Sequence, residues 1–219
     1  MRKFCQTIGA IAFLFASTNA YSDGFSLGVS GSMVEIEAKG SESLRTTGRT
    51  TNGTADNQAA IGSIFAEYTW NGLTFGLDYI PVDADISEKV QNRSEQDYTT
   101  GGEATPTAIT NKVNASIEDH ITAYLTYPLF EKSYVKAGFV TATVKTSETL
   151  GTGSTYGNDD LTGYMIGVGV RGDLGSNLFM KAEVNYTDYE ELSITSSGNN
   201  TVKGDIDVNG AMIAIGYNF

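Results

Sequence analysis

The sequence predicts an all-β fold, namely an eight-stranded antiparallel up-and-down transmembrane β-barrel. Apolar residues alternate with polar ones in segment after segment, which is the pattern of strands with two different faces. The connections between these segments are alternately short and long, and the charged residues of the strands keep to one face. Only 3 prolines but 25 glycines fit a chain built of strands and tight turns.

The clearest pair of strands covers residues 59–70 and 73–82. Alternate residues from Ile64 to Trp70 are apolar or aromatic on the first strand, and Leu73 to Tyr79 show the same pattern on the second. Asn71-Gly72 separates them. Because this dipeptide accepts the positive φ angles of a type I′ turn, we predict a tight hairpin here.

The same alternation predicts six further strands, at 25–38, 117–127, 134–146, 161–172, 178–189 and 204–219. The total of eight is even, as a closed bacterial barrel requires. The apolar face changes phase between Val29 and Val34 in the first strand, and between Val208 and Ala211 in the last. We predict a β-bulge near Gly31 or Gly210; alternatively, these strand ends leave the bilayer.

The connections fall into two classes of length. Those at 71–72, 128–133 and 173–177 are short, whereas those at 39–58, 83–116, 147–160 and 190–203 are long. Bacterial barrels of this type have short periplasmic turns and longer extracellular loops, so we expect the long connections outside the cell. The connection at 83–116 holds six acidic and three basic residues, which predicts a mobile, solvated loop.

Turning the apolar faces toward lipid leaves the charged faces for the interior. A Lys or Arg facing the middle of the bilayer would cost about 2–4 kcal/mol. In the alternative, a soluble lipocalin-like barrel, the apolar faces would point inward instead. The predicted lumen polar network consists of Glu67, Asp78, Glu118, His120, Lys136, Arg171, Lys181 and Glu183.

The first 20 residues read as a cleaved signal peptide, followed by a single barrel domain at 21–219. Arg2 and Lys3 precede a short apolar run, and Thr18-Asn19-Ala20 places small residues where a signal peptidase cleaves. Cys5 would leave with the signal, so the mature chain would contain no cysteine. It would carry 12 basic and 26 acidic residues, a formal charge of −14, which argues against nucleic acid as a partner.

The final segment, AMIAIGYNF, resembles the terminal strand by which bacterial outer-membrane barrels are recognised and inserted. The residues of this insertion signal are Ile213, Ile215, Tyr217 and Phe219. With the Thr-Asn-Ala site and the Asn-Gly turn, they make the chain similar to the small eight-stranded OmpA-like and OmpX-like barrels. It departs from the family pattern at Ala214, where Gly is expected, and at Met212, where a polar residue is expected.

This resemblance implies a place in the outer membrane of a Gram-negative bacterium. Outer-membrane lipid and lipopolysaccharide would surround the barrel, and barrel-assembly machinery and periplasmic chaperones would deliver it. It also implies a monomer without a cofactor. The resemblance does not identify an extracellular ligand for the long loops.

Three functions are compatible with these observations. We expect a non-enzymatic barrel with a structural or surface-interaction role, because eight strands enclose a space that their own side chains fill. A small-solute pore is one alternative. A lipid A-modifying enzyme is another, since His120 is the one histidine and Glu118 lies on its face; however, Thr122 stands where the deacylase-like His-x-Ser pattern has Ser.

Acidic pairs and triplets in the loops could attract Ca²⁺ or Mg²⁺ near lipopolysaccharide. Their spacing does not match an EF-hand loop, so we predict no specific metal site. The residues concerned are Asp83, Asp85, Asp159, Asp160, Asp188, Glu190 and Glu191.

Overall fold

The structure, a computed structural model, describes residues 23–43, 50–96, 106–149, 155–197 and 201–219. The predicted signal peptide lies outside these residues. No helix in the described part of the chain has the length and apolar character that a membrane span needs. The strands are β1 (Gly24–Ser43), β2 (Thr50–Trp70), β3 (Leu73–Ile80), β4 (Ala84–Gln96), β5 (Pro106–Phe130), β6 (Ser133–Thr149), β7 (Asp159–Asp173), β8 (Leu178–Tyr189), β9 (Leu192–Thr195) and β10 (Thr201–Asn218).

The strands close into an antiparallel barrel with eight positions around its wall. β3 and β4 both pair with β5 and share one position, and β8 and β9 both pair with β10 and share another. β1 pairs with β10 from Ser26↔Asn218 to Ser43↔Thr201, so the sheet has no free edge at this junction. The predicted eight-stranded up-and-down barrel is therefore confirmed.

The short turns and the two ends of the described chain lie at one end of the barrel. Asn71 and Gly72 have φ angles of 52° and 80°, so the predicted Asn-Gly turn has the positive φ angles of type I′. The backbone N–H of Asn71 donates to Asp23 Oδ1 at 2.7 Å, and that of Phe219 donates to the Phe25 carbonyl at 2.9 Å. We call this the short-turn end.

At the opposite end, strands occupy much of what we predicted as long loops. β1 continues to Ser43, β2 already begins at Thr50, and β4 with the first part of β5 fills most of 83–116. The prediction of loops over 39–58 and 83–116 was wrong. These segments lack the apolar alternation by which we located strands, yet their backbones pair with neighbouring strands.

The predicted bulges near Gly31 and Gly210 are absent from the described pairing of β1 with β10, which runs without a register shift. Val34, Ile36 and Ile206 instead point into the barrel and are buried there. The apolar residues change from the outer to the inner face because the interior of the barrel is apolar in the half farther from the short-turn end. A bulge is not needed to explain them.

A register shift does occur between Glu118 and Ile121, where Asp119 has a φ angle of 52°. It reverses the faces of β5, so Ile117 is buried inside, although we predicted it on the outer face. Glu118 consequently lies outside and pairs with the exposed Lys145 at 3.1 Å. Its assignment to the lumen was wrong, because the extra residue exchanges inward and outward positions.

An apolar belt surrounds the barrel near the short-turn end. Every wall position contributes exposed apolar side chains to its outer face, in the phase that the sequence predicts. One residue from each position illustrates the apolar belt: Leu27, Ile64, Leu77, Leu125, Phe139, Ile166, Leu178 and Ile215. Such a continuous band is what a lipid-facing barrel surface requires.

Replacement of Glu118 by cysteine tests the reversal of faces in β5. We expect a membrane-impermeant maleimide to label Glu118→Cys on intact cells, because this side chain lies outside the barrel beside an exposed lysine. Ala142→Cys is the control, since Ala142 is buried inside the barrel, and its thiol should react only after unfolding. Protection of the cysteine at position 118 in the folded barrel would contradict the assignment.

Candidate functional site

Five charged side chains meet inside the barrel near the short-turn end. Lys181 Nζ donates to Glu67 Oε1 at 2.5 Å, and Arg171 Nη1 lies 3.9 Å from Glu67 Oε2. Lys136 Nζ donates to Glu183 Oε1 at 3.0 Å. None of these side chains is more than 10% exposed, so all five have left bulk water. We call Glu67, Lys136, Arg171, Lys181 and Glu183 the charged plug.

Each carboxylate of the charged plug also accepts a hydrogen bond from a tyrosine. Tyr124 Oη donates to Glu67 Oε1 at 2.7 Å, and Tyr134 Oη donates to Glu183 Oε2 at 2.9 Å. A buried ion pair stabilises a fold only when further hydrogen bonds satisfy its remaining atoms. At Glu183 the tyrosine satisfies the oxygen that Lys136 does not contact. At Glu67 both Tyr124 and Lys181 donate to Oε1, and Oε2 faces Arg171 at 3.9 Å without a hydrogen bond.

Four aromatic rings support the charged plug, and each lies against a glycine directly opposite on the neighbouring strand. A Cβ atom on any of these glycines would overlap the ring. The wall can therefore hold the rings only because these positions lack a side chain. The pairs are Gly28 with Phe65, Gly76 with Tyr124, Gly169 with Tyr134 and Gly216 with Phe179.

The cations of the charged plug lie over three of these rings. Lys181 Nζ is 4.0 Å from the centroid of Phe65, Lys136 Nζ is 4.1 Å from that of Tyr124, and Arg171 Cζ is 3.6 Å from that of Phe179. A cation over a ring face is attracted by the ring quadrupole. Each of these rings is thus held between a glycine of the wall and a cation of the lumen.

Two other predicted lumen residues face the interior without joining the charged plug. Asp78 Oδ2 accepts a hydrogen bond from Ser63 Oγ at 2.8 Å. His120 Nε2 lies 2.9 Å from Tyr189 Oη. The structure thus brings together five of the eight predicted residues, places these two nearby and puts Glu118 outside.

Beyond the charged plug, toward the end of the barrel opposite the short-turn end, the interior is apolar. We call this group of buried residues the upper apolar cluster: Val34, Ile36, Ile117, Val140, Ala142, Val144, Leu161, Met165, Tyr189 and Ile206. Our expectation of a lumen filled by polar and charged side chains is wrong for this half. The residues follow the inward phase without interruption in β1 and β10, a signal that we had read as a bulge.

Sequence reasoning also missed the rings and glycines of the wall. Phe65, Phe179, Tyr124 and Tyr134 share the inward phase of the charged residues, but their partners depend on strand register. None of the four pairs joins strands that are connected by a short turn, so no turn sets the register that brings each inward glycine opposite its ring.

The residues of the predicted insertion signal lie on the outer face of β10. Ile213, Ile215, Tyr217 and Phe219 are all exposed, and the rings of Tyr217 and Phe219 meet edge to face at 5.1 Å between centroids. Ala214 is buried on the inner face of the same strand. Recognition by an insertion machinery stays a prediction.

The acidic residues near the loops are the candidate ligands of divalent cations. Within the described ranges, no group of three or more His, Cys, Asp or Glu side chains is arranged to hold a metal ion.

Comparison with known proteins supports the barrel. Residues 8–219 match the family model of the outer membrane protein beta-barrel domain. OprG from Pseudomonas aeruginosa is 13% identical, with 93% of this chain and 99% of that chain covered and a TM-score of 0.53. The protease OmpT from Escherichia coli is 11% identical over 93% and 99%, with a TM-score of 0.47.

Ail, the attachment invasion locus protein of Yersinia pestis, is 12% identical, with 90% of this chain and 100% of that chain covered and a TM-score of 0.42. No match is found among curated protein sequences. At such identities, the similarity to OprG shows the fold alone.

Breaking one ion pair of the charged plug tests its contribution to stability. We expect Lys181→Met to lower the free energy of unfolding by about 3–5 kcal/mol, because Glu67 would keep its buried charge without its nearest cation. The double variant Glu67→Gln/Lys181→Met should recover much of this loss. Urea unfolding in detergent micelles and the gel shift on heating measure both.

Lys203→Met is the matched control, since Lys203 pairs with Glu191 on the exposed surface at 2.6 Å. Water screens such a pair, so this variant should unfold like the unaltered protein. Equal losses for Lys181→Met and Lys203→Met would refute the stabilising role of the buried pair.

Adding a single methyl group to the wall tests the packing of rings on glycines. We expect Gly216→Ala to destabilise the barrel by about 1–3 kcal/mol, because its Cβ would overlap the ring of Phe179. Gly31→Ala is the control, since nothing lies within 4 Å of a Cβ at that position. The same unfolding measurements apply, and a tolerated Gly216→Ala with normal stability would contradict the packing argument.

Proposed function

Because the chain belongs to the outer membrane protein β-barrel family, we propose that it is a non-conducting barrel that acts through its extracellular part. Its location is the outer membrane of a Gram-negative bacterium. The observation that carries the proposal is the charged plug, whose buried ion pairs occupy the interior. Because the interior is filled, interaction would take place on the part of the barrel beyond the apolar belt, on the side away from the short-turn end.

The contacts of the charged plug argue against a small-solute pore. Eight strands enclose an interior that side chains can fill. Here Lys136, Arg171 and Lys181 face Glu67 and Glu183 within that space, and hydrogen bonds from tyrosines complete the arrangement. A passing ion would have to separate buried partners, at a cost of several kcal/mol.

The surroundings of His120 argue against a lipid A-modifying enzyme. Its Nε2 atom is taken up by Tyr189 Oη, and Thr122 is the buried hydroxyl residue next on its face. Glu118, the candidate for orienting the imidazole, lies on the outside of the barrel beside Lys145. Among the side chains that the structure describes, a nucleophile and an orienting acid are therefore not assembled around this histidine.

The extracellular part carries a row of acidic residues on the outer faces of neighbouring strands. On the outer face, Glu37 lies directly opposite Asp56 on one side and Asp207 on the other, and Asp207 lies opposite Asp188. Like charges in directly opposite positions repel each other across strands. This feature fits a surface shaped for interaction better than a purely structural wall.

The proposal includes a route by which the protein reaches the outer membrane and is inserted, based on the same family membership. Barrel-assembly machinery would recognise the outward residues at the end of β10, after escort by periplasmic chaperones. The closed junction of β1 with β10 leaves no free barrel edge there for a second copy, which supports a monomer.

Planar-bilayer recordings test whether the charged plug closes the barrel. We expect no reproducible current steps from the purified protein. Glu67→Ala/Lys181→Ala should conduct, because it removes one buried ion pair and the volume of two long side chains. Reproducible channels from the unaltered protein would contradict a closed lumen. A folded double variant that stays silent would contradict closure by the charged plug.

A further inference from the structure

A hydrogen bond crosses the lumen at the edge of the upper apolar cluster. His120 Nε2 lies 2.9 Å from Tyr189 Oη, and the two rings meet edge to face with 6.4 Å between their centroids. His120 belongs to β5 and Tyr189 to β8, which are separated in the wall by β6 and β7. The contact therefore connects two strands that do not pair with each other. We call His120 and Tyr189 the cross-lumen pair.

Tyr189 is firmly packed and marks the point where the chain leaves β8. Only 6% of the residue is exposed, and a Cβ atom on Gly163 of β7 would lie 3.0 Å from its Cδ1 atom. Tyr189 is the last residue of β8, and the backbone N–H of Glu190 donates to the Thr162 carbonyl at 2.8 Å. The cross-lumen pair thus holds the connection from β8 to β9.

The imidazole of His120 is held at one of its two nitrogens. Nδ1 is buried and has no hydrogen-bond partner among the described residues. A neutral imidazole fits this arrangement, because the tautomer with its proton on Nε2 leaves Nδ1 without a hydrogen. A protonated imidazole carries an N–H on both nitrogens, so Nδ1 would become a buried, charged donor without an acceptor. The cross-lumen pair therefore favours the neutral imidazole.

A second partner for the imidazole lies on the neighbouring strand. Ile80 on β3 is directly opposite His120, so Asp78, two residues earlier on the same inner face, is diagonally adjacent. A ring side chain can reach a diagonal neighbour in an antiparallel pair. Asp78 accepts a hydrogen bond from Ser63 Oγ, but it belongs to none of the ion pairs among the described residues. Its carboxylate can therefore receive a charged imidazole.

The other charged groups around the imidazole are outside the barrel or already paired. Glu118 pairs with Lys145 on the outer surface, and Asp119 is exposed. Lys136 and Glu183 of the charged plug bind each other. β6 and β7 contribute apolar residues to this part of the lumen, namely Val140, Ala142, Leu161 and Met165. Among the described side chains, Asp78 and Tyr189 are thus the titratable partners within reach.

We propose that the cross-lumen pair is a pH-sensitive switch. On acidification His120, which is partly exposed, takes up a proton from water, turns from Tyr189 to Asp78 and releases the end of β8. An imidazole in water gains its proton at about pH 6.5, so the switch responds to acidic surroundings. The switch would loosen the connection to β9 in the half of the barrel away from the short-turn end. It is a property of the lumen and does not depend on the proposed surface role.

Nuclear magnetic resonance of the imidazole tests this switch. The chain contains one histidine, so protein made without a histidine tag and labelled with ¹⁵N-histidine reports on His120 alone. In detergent micelles at neutral pH we expect a neutral imidazole and a nuclear Overhauser contact between the rings of His120 and Tyr189. The contact should disappear over the pH range in which the ring gains its proton. A contact that persists in the protonated protein would overturn the proposal.

Asp78→Asn is the matched variant, because it keeps the shape of the side chain and removes the charge that receives the imidazole. Protonation of His120 should then require a pH that is lower by about one unit or more. Asp188→Asn is the control, since Asp188 is exposed on the outer face of β8, and it should leave the titration unchanged. The gel shift on heating verifies that each variant is folded. An unchanged titration in folded Asp78→Asn, or equal shifts in both variants, would overturn the role of Asp78.

Amide hydrogen exchange at Glu190 measures the release of the end of β8. After correction for its intrinsic pH dependence, the exchange rate should rise several-fold on acidification of the unaltered protein. His120→Phe cannot titrate, so its exchange rate at Glu190 should not change with pH. A constant rate in the unaltered protein, or an equal rise in folded His120→Phe, would show that His120 does not control this segment.

Discussion

The pairing of buried charges governs the construction of this barrel. Lys181 with Glu67 and Lys136 with Glu183 lie where water cannot solvate them, and an ion taken from water into protein loses several kcal/mol unless a partner replaces the solvent. Each carboxylate therefore also needs its tyrosine hydroxyl. Because these partners come from β2, β5, β6 and β8, the charged plug stabilises only a barrel that has closed in the correct register.

The charged plug also constrains the residues of the wall around it and the residues of the lumen above it. The four rings that support the charged plug need space, which Gly28, Gly76, Gly169 and Gly216 provide on adjacent strands. Above the charged plug, the upper apolar cluster fills the interior by close packing and contains few groups that need a polar partner. The interior is thus charged near the short-turn end and apolar in the other half of the barrel.

The alternation of apolar residues was sufficient to predict the closed barrel, its outward face and most of its inward charges. It led to the wrong face for Glu118, because one extra residue at Asp119 exchanges the two faces of β5 without a mark in the composition. It also led to loops where β4 and the beginning of β5 pair, since these segments lack the alternating pattern by which we located strands. Sequence reasoning found the members of the charged plug but not their partners.

The sequence by itself thus determines the barrel fold, the apolar belt and the tight Asn71-Gly72 turn, because alternation and turn preference act between residues close in sequence. It does not determine which side chains meet across the lumen. Lys181 meets Glu67 over 114 positions, and the ring of Phe179 meets Gly216 on another strand. Which side chains pair and where the interior becomes apolar both depend on strand register around the closed wall, and register is a property of the assembled barrel.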